Sequence, residues 1–218
     1  MSRDDDDLVA AATPLDEWLD RLAQAHGAPG GGAACAVMTA ISAALLGMVA
    51  GYSTEDSESE RAATRLDRVR RRATAAAEAD GERSAAFGAA LAMDPGPDRE
   101  LAVRSTTVDA TASSIAVGGL AASLVDEARL LAAIGNRHVE ADLIVAVEAL
   151  AAALAGAVAT ARADLHLLSA HRVAGDALDD RIESFQRDVD EIEQARGELG
   201  QLASSFGPRD PGSASANP

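Results

Sequence analysis

Three consecutive glycines stand directly before one of the most apolar segments of the chain, in the stretch APGGGAAC at residues 28–35. Each glycine lowers helix propensity by about 1 kcal/mol relative to alanine, so Gly30, Gly31 and Gly32 need a physical reason. The start of a helix presents free backbone N–H groups and a partial positive charge, and glycines let other atoms come close to them. The run therefore predicts either a binding site for an anion or a carbonyl oxygen, or a tight turn with close helix packing. No Gly-Lys-Ser/Thr follows it, so it is not a P-loop.

A second polar cluster opens the otherwise apolar segment GNRHVEADLIVAVEAL. Its polar side chains belong to Asn136, Arg137, His138, Glu140 and Asp142. Because LIVAV follows Asp142 directly, we expect its carboxyl group to lie beside buried surface. Such a carboxylate either complements the positive end of the helix dipole or, held against apolar surface, transfers protons. His138 is not expected to bind a metal ion, because no second histidine lies at ligand spacing from it.

Arginines are concentrated in one segment: six of the 19 basic residues lie between Arg61 and Arg72, in a chain of net charge −16. This stripe is either a solvated face balanced by neighbouring acids or a docking patch for a polyanionic small molecule. Further along the chain, Arg162 and Asp164 interrupt the apolar segment ATARADLHLL. These two residues are expected to form an internal ion pair or to belong to a binding site.

The composition favours an all-α protein with an alanine-rich core, because aromatic residues make up only 2% of the 218 residues. The net charge of −16 disfavours nucleic acid as a partner. A single cysteine, Cys35, leaves no intramolecular disulfide, and we expect a cytoplasmic protein. Residues 33–50 are apolar enough to cross a membrane, but Thr39, Ser42 and many small residues favour a buried central helix. We therefore expect no membrane partner.

The spacing of apolar residues predicts six helices, which we expect to pack as an antiparallel helical bundle. These helices cover about residues 14–26, 32–51, 54–93, 99–134, 139–171 and 177–206. Thr13 is expected as the N-cap of the first helix. The helices form a single domain at residues 13–206, flanked by a disordered acidic arm at 1–12 and a disordered tail at 207–218.

Two segments together resemble the cyclodeaminase/cyclohydrolase family. APGGGAACAVMTAISAALLGMVAGYS is similar to the family's Pro-Gly-Gly-Gly motif with its small residues and long apolar helix. GNRHVEADLIVAVEALAAALAGAVATARADL is similar to the second hallmark, in which Gly-Asn precedes Asp at the head of an alanine-rich helix and Arg follows. The resemblance runs in order over about residues 15–205.

The resemblance implies an all-helical homodimer with a folate site in a cleft near the dimer interface and with neither metal nor cofactor. The implied reaction hydrolyses the methenyl bridge of tetrahydrofolate or closes the formimino form with loss of ammonia. Asp142 is the implied group for proton transfer, Asn136 and Arg162 are the implied orienting groups, and the arginine stripe would meet the glutamate tail. The implied site residues are Asp142, Arg162 and Glu82 for catalysis and Gly30, Gly31, Gly32, Asn136, His138, Asp164, Arg65 and Arg72 for substrate binding.

The polar residues depart from the family pattern at several positions. Arg83 stands where the family has an aspartate four residues before a phenylalanine, although Glu82 is adjacent. The other replacements are Ala33 for a serine, His138 for an asparagine, Ala141 for a serine and Asp164 for an asparagine. These changes indicate a site adapted to another substrate or a loss of catalysis.

Three hypotheses follow from these observations. An enzyme acting on a folate predicts that Asp142 and Arg162 point into one cleft together with the glycines. An enzyme for a non-folate imine or amidine predicts the same cleft with a more apolar lining around Ala33 and Ala141. A non-catalytic helical ligand-binding protein predicts that Arg137 or Arg162 neutralises Asp142 and that no open cleft remains.

Overall fold

The computed structural model describes residues 13–25, 29–53, 57–170 and 178–206. Over these ranges the chain is all-α, with seven helices, one 3₁₀ turn and no strand. The elements are α1 (Leu15–Leu22), α2 (Gly31–Gly51), α3 (Ser57–Leu91), α4 (Pro97–Ala122), α5 (Val125–Ile134), the 3₁₀ turn (Arg137–Val139), α6 (Glu140–Ala170) and α7 (Leu178–Ser205). The predicted helical bundle is confirmed. The predicted disorder at 1–12 and 207–218 lies outside the described residues.

Helix α2 is central to the bundle, because it packs mainly between α3 and α6. Helix α4 in turn packs against α3, α6 and α7. Alanine and glycine at the crossings allow this close approach. The Cβ of an alanine at Gly156 in α6 would overlap the Cys35 Sγ of α2, so the two helices are already in contact there.

Large apolar side chains fill the space that the small residues leave. The fully buried leucines come from five of the seven helices and from the residue directly before α5, and they form one connected core. They are Leu46, Leu66, Leu124, Leu131, Leu150, Leu154, Leu168 and Leu199.

Three segments are long and apolar enough to cross a membrane by length and composition: α2, Pro97–Ile134 and Arg137–Ala170. In α2, half of the most apolar window is buried inside the bundle, and in the other two segments 44% is buried. Packing in the bundle therefore buries about half of the residues in these windows, and the other residues are half-buried or exposed in the single chain.

The helix boundaries differ from the prediction at several points, of which the start of α1 and the end of α4 change the capping or the number of helices. Pro14, and not Thr13, occupies the N-cap position of α1, and no side chain caps this helix. The predicted fourth helix is interrupted after Ala122, where the Ser123 hydroxyl donates a hydrogen bond to the Leu120 carbonyl (2.7 Å). Such a bond competes with the backbone pairing of a helix, so α4 ends and α5 begins two residues later.

Candidate functional site

The start of α2 is capped by a side chain from another helix. Gly30 is the N-cap residue and has no side chain to accept a bond from the free N–H groups. Instead, the Ala33 N–H donates to the carboxylate of Asp80 in α3. Asp80 is 6% exposed, so it is a buried acid held at the positive end of a helix.

The position of Asp80 explains one of the three glycines. A Cβ at Gly32 would lie 2.7 Å from both Cγ and Oδ2 of Asp80 and nearer still to Oδ1. Only glycine therefore leaves room for the carboxylate at this point. A Cβ at Gly31 would be 3.6 Å from Thr160 Cγ2, and one at Gly30 would be 3.8 Å from Ser84 Oγ, which are ordinary contacts.

A short hydrogen-bond chain connects Asp80 to Arg83. Arg83 Nη1 donates to Ser113 Oγ at 3.1 Å, and Ser113 Oγ donates to Asp80 Oδ1 at 3.3 Å. Burial raises the pKa of Asp80, whereas the bonds from Ala33 and Ser113 and the charge of Arg83 oppose this increase. Asp80 is thus fixed in position by groups from three helices.

A second carboxyl group, that of Asp164 in α6, lies near the first. Its Oδ2 accepts a hydrogen bond from Ser114 Oγ at 3.3 Å. Burial above all, and also the charge of Asp80, raise the pKa of Asp164 to about 6 against the opposing effect of the Ser114 hydrogen bond. A carboxyl group with this pKa is present in both protonation states near neutral pH.

Both carboxyl groups face a cavity of about 680 Å³ at the start of α2. Helices α2, α3, α4 and α6 each contribute to its wall, which combines backbone, carboxyl, hydroxyl and guanidinium groups. The lining residues are Gly31, Gly32, Asp80, Arg83, Ser84, Ala85, Phe87, Gly88, Ala110, Ser114, Thr160 and Asp164. A cavity of this size with a few convergent polar groups is typical of a small-molecule site.

Three of the residues predicted from the sequence lie in this cavity: Gly31, Gly32 and Asp164. Gly30 is the preceding N-cap residue of α2. The open cavity contradicts the expectation of a bundle without a cleft. Of the two alternatives for Arg162 and Asp164, the internal ion pair does not form, because residues two apart on a helix are rotated by about 200° from each other; Asp164 instead lines the cavity.

The second sequence motif lies at the other end of α2. Asn136 donates its backbone N–H to Ser53 Oγ (3.0 Å) and its side-chain N–H to the Tyr52 carbonyl (3.3 Å), and both partners follow the last residue of α2. Its Oδ1 accepts from the backbone N–H of His138, so Asn136 caps the 3₁₀ turn. Asp142 begins α6 at this same end. Because α2 has 21 residues, this end is about 30 Å from the glycines.

Arg162 and Asp142 do not share a cleft within the chain, which corrects the expectation from the sequence. Both are in α6, and twenty residues of helix separate them by about 30 Å. Arg162 lines a different groove of about 320 Å³ between α6 and α7. There its Nη1 is 3.8 Å from Glu193 Oε2.

The remaining predicted residues are in α3. Arg65 forms an ion pair with Glu127, with Nη2 at 3.0 Å from Oε2, and another with Glu58 at 3.1 Å. The pair with Glu127 joins α3 to α5, the pair with Glu58 lies within α3, and neither lines the cavity. Glu82 is exposed and does not line the cavity, because it is rotated about 200° around the helix from Asp80. Arg72 lines a groove between α3 and α4.

The sequence analysis did not identify Asp80, its partner Ser113 or the Asp164 partner Ser114, although a signal was present. Leu66, Ala73 and Ala77 form the buried face of α3, and Asp80 continues it at the next helical position. A carboxylate on an otherwise apolar stripe is a candidate functional group. Ser114 occupies the equivalent stripe of α4, three residues after the buried Thr111.

Over the described ranges, no group of three or more histidine, cysteine, aspartate or glutamate side chains is arranged to hold a metal ion. The carboxyl groups of Asp80 and Asp164 instead accept hydrogen bonds from serine hydroxyls, and the Thr160 hydroxyl donates to backbone. Their arrangement supports proton transfer and the binding of a charged small molecule.

Comparison with known proteins agrees with the all-α fold. The family model for formiminotransferase-cyclodeaminase matches residues 14–183, as the resemblance in sequence predicted. Among solved structures, the chain is similar to formiminotetrahydrofolate cyclodeaminase from Thermotoga maritima, with 20% identity and a TM-score of 0.73. The match covers 89% of this chain and 98% of that chain, whereas no curated protein matches. By its match to the family model, the chain belongs to the formiminotransferase-cyclodeaminase family.

Proposed function

We propose that this protein opens or closes the one-carbon bridge of a tetrahydrofolate derivative at the amidine oxidation level. Membership of the family and the fold shared with formiminotetrahydrofolate cyclodeaminase support this proposal. The observation that carries it is the pair of buried carboxyl groups, Asp80 and Asp164, on the wall of one cavity. Both have raised pKa values, which is typical of groups that exchange protons during catalysis.

The charge of the cavity suits the charge of such a substrate. A formimino group is protonated near neutral pH, and the methenyl bridge is a permanent amidinium cation. An ionised carboxylate beside the reacting carbon stabilises this positive charge in a cavity from which water is partly excluded. Asp80 is suited to this role, because bonds from Ala33 and Ser113 fix its position.

The proposed reaction needs a group that first takes a proton and then gives one back. In cyclisation, a nitrogen of the pterin–aniline part adds to the formimino carbon and loses a proton, and the departing nitrogen gains a proton and leaves as ammonia. In hydrolysis, water adds to the methenyl carbon and a ring C–N bond breaks. Asp164 can serve both directions, because its pKa of about 6 is close to neutral. Neither direction changes the oxidation level of the carbon, so the reaction needs no redox cofactor.

The altered polar residues do not remove the acid from the site. Arg83 replaces the family's aspartate, but Asp80 lies one helical turn earlier and supplies a carboxylate to the cavity. The cavity is also open to a ligand, with the backbone of Gly31 on its wall. These features favour an active enzyme over a non-catalytic ligand-binding protein.

The test is the rate of interconversion of formiminotetrahydrofolate, methenyltetrahydrofolate and formyltetrahydrofolate, followed by methenyl absorbance against the buffer rate. We expect the wild type to exceed the buffer rate and Asp164→Asn to lose about a hundredfold or more of that activity, as for loss of a general acid–base group. Glu183→Gln removes an exposed carboxylate of α7 and is the charge-matched control.

Asp142→Asn is measured in parallel, since the sequence motif points to Asp142. A loss of activity in Asp142→Asn with full activity in Asp164→Asn would show that the sequence-based assignment is right and that Asp164 is not the proton-transfer group. A folded wild type that never exceeds the buffer rate with any of the three folates would contradict the proposed function.

We also propose that the protein is a homodimer. Ile41 and Met48 of α2 and Tyr52, which directly follows α2, are spaced at seven and four residues and so lie on one side, and each is exposed in the single chain. Helix α6, which packs against α2, exposes Val145. A second copy of the chain that covers this α2–α6 face would bury apolar surface that the chain leaves in water.

A further inference from the structure

A groove of about 430 Å³ runs between α3 and α4 beside the cavity. Its floor consists mostly of alanine methyl groups, which are too small to fill the space between two long helices. The lining residues are Arg72, Ala75, Ala76, Ala79, Arg83, Asp109, Ala112, Ser113, Ala116 and Leu120. An alanine floor of this kind accommodates a flat apolar group.

Arg83 connects the groove to the cavity, because its side chain lines both. Its partner Ser113 also lines the groove and bonds to Asp80 in the cavity wall. A ligand whose reacting end lies in the cavity can therefore extend past Arg83 into the groove. A guanidinium group has five N–H donors, so donors remain for a ligand beyond the bond to Ser113.

The second arginine of the groove, Arg72, lies at a definite distance from Arg83. Eleven residues separate them on α3, which corresponds to about three helical turns, so both side chains leave the same side of the helix. The rise along the axis between them is about 16 Å. One carboxylate, Asp109, also lines the groove, so the three charged groups sum to one positive charge in a chain of net charge −16.

Arg72 is available for a ligand, unlike most of the arginine stripe. Four other members of the stripe, Arg61, Arg65, Arg70 and Arg71, form ion pairs with acids of α3 or α5. Arg72 has no carboxylate partner among the described residues. In most of the stripe, acidic side chains neutralise the arginines. At the groove, Arg72 has a guanidinium charge that a ligand can neutralise.

We propose that this α3–α4 groove is a second compartment of the substrate site, which holds a flat apolar stem ending in carboxylate, with Arg83 at its entrance and Arg72 at its far end. The proposal rests on the proposed function, in which the stem is the p-aminobenzoylglutamate part of tetrahydrofolate. It makes Arg83 a specificity-determining residue. Without these two cations, Asp80 and Asp164 would repel a substrate that carries a carboxylate.

The test is calorimetric titration of the protein with p-aminobenzoylglutamate, which lacks the reacting carbon, and with its neutral diamide. We expect the acid to bind the wild type at least tenfold more tightly than the diamide does. Arg72→Gln and Arg83→Gln should each weaken binding of the acid about tenfold and leave binding of the diamide unchanged. Added salt should weaken binding of the acid only.

Arg68→Gln is the matched control, because Arg68 is exposed on α3 one turn before Arg72 and does not line the groove. It should bind the acid as the wild type does. Equal binding of acid and diamide, equal binding by Arg72→Gln and wild type, or no binding to the wild type at millimolar concentration would each overturn the proposal.

Measuring the turnover of folates distinguishes failure of the groove assignment from failure of the proposed reaction. Activity on a folate with an unchanged KM in Arg72→Gln would overturn the groove assignment and leave the reaction in place. Arginine-dependent binding of the acid by a wild type that turns over no folate would support the groove and contradict the proposed reaction.

Discussion

Asp164 differs from an ordinary surface acid because it is largely buried. Burial raises its pKa from 3.8 to about 6, so the folded protein binds this proton more tightly than the unfolded chain. The stabilisation of the fold by this proton is fully present below the pKa of Asp164 in the unfolded chain. It is lost as the pH rises through the pKa in the folded protein. At neutral pH, the charged side chain therefore reduces the stability of the fold.

We expect Asp164→Asn to stabilise the protein by about 2 kcal/mol at about pH 8, a value reduced from the full shift because the side chain is partly exposed. The gain should be about 1 kcal/mol smaller at about pH 5, where much of the wild-type Asp164 is protonated. Urea denaturation of both proteins at the two pH values measures this. Equal gains at both values would show that burial does not raise the pKa of Asp164.

Only some of the residues of the candidate site could be predicted from the sequence. The glycines and Asp164 were identified because glycine runs and acids in apolar segments are unusual. Asp80 was not predicted, because the family pattern places its acid at the position of Arg83, beside Glu82, although the buried stripe of α3 includes residue 80. The separation of Asp142 and Arg162 follows from helix length alone, since twenty residues of one helix cannot converge on one cleft.

At the scale of elements, the start of α2 depends on α3, because the Asp80 carboxylate serves as the cap that Gly30 lacks. Gly32→Ala should force this carboxylate away and break its bond to Ala33. We expect a loss of about 2–4 kcal/mol, from a lost cap, overpacking and a displaced buried acid. Thermal or urea unfolding measures the change.

Gly31→Ala is the matched control for that substitution, since its Cβ would make only an ordinary contact with Thr160. Alanine at this position should leave stability unchanged or raise it by up to about 1 kcal/mol through helix propensity. A similar loss in Gly31→Ala and Gly32→Ala would show that the glycine run is needed for its backbone rather than for the position of Asp80.

The elements themselves were largely predictable, because long helices with apolar periodicity give the strongest signal in a sequence. Helix α2 was predicted to within one residue at its start, owing to the glycines on one side and the polar segment on the other. The break at Ser123 was not predicted, because it depends on which carbonyl the serine hydroxyl contacts. The α3–α4 groove could not be predicted either, since it depends on how far apart two alanine-rich helices pack.

For the molecule as a whole, the main unexplained feature is the exposed apolar surface of the α2–α6 face in a single chain. Ile41 of α2 is 48%, Tyr52 directly after α2 is 59% and Val145 of α6 is 55% exposed, and the most apolar windows of these two helical segments have a mean hydropathy of 2.1. The proposed dimer predicts that light scattering gives twice the mass of the chain for the wild type. Ile41→Asp should raise the dimer dissociation constant at least a hundredfold, because a carboxylate would be buried without a partner.

Leu101→Asp provides the control that distinguishes a specific face from general exposure. Leu101 is at least as exposed as Ile41 but lies on α4, outside the α2–α6 face. The dimer should survive this substitution, and the two variants should retain the same helical circular dichroism. A monomeric wild type at micromolar concentration, or a dimer that Leu101→Asp disrupts and Ile41→Asp does not, would place the interface elsewhere. In that case the exposed side of α2 would need another partner to account for its apolar surface.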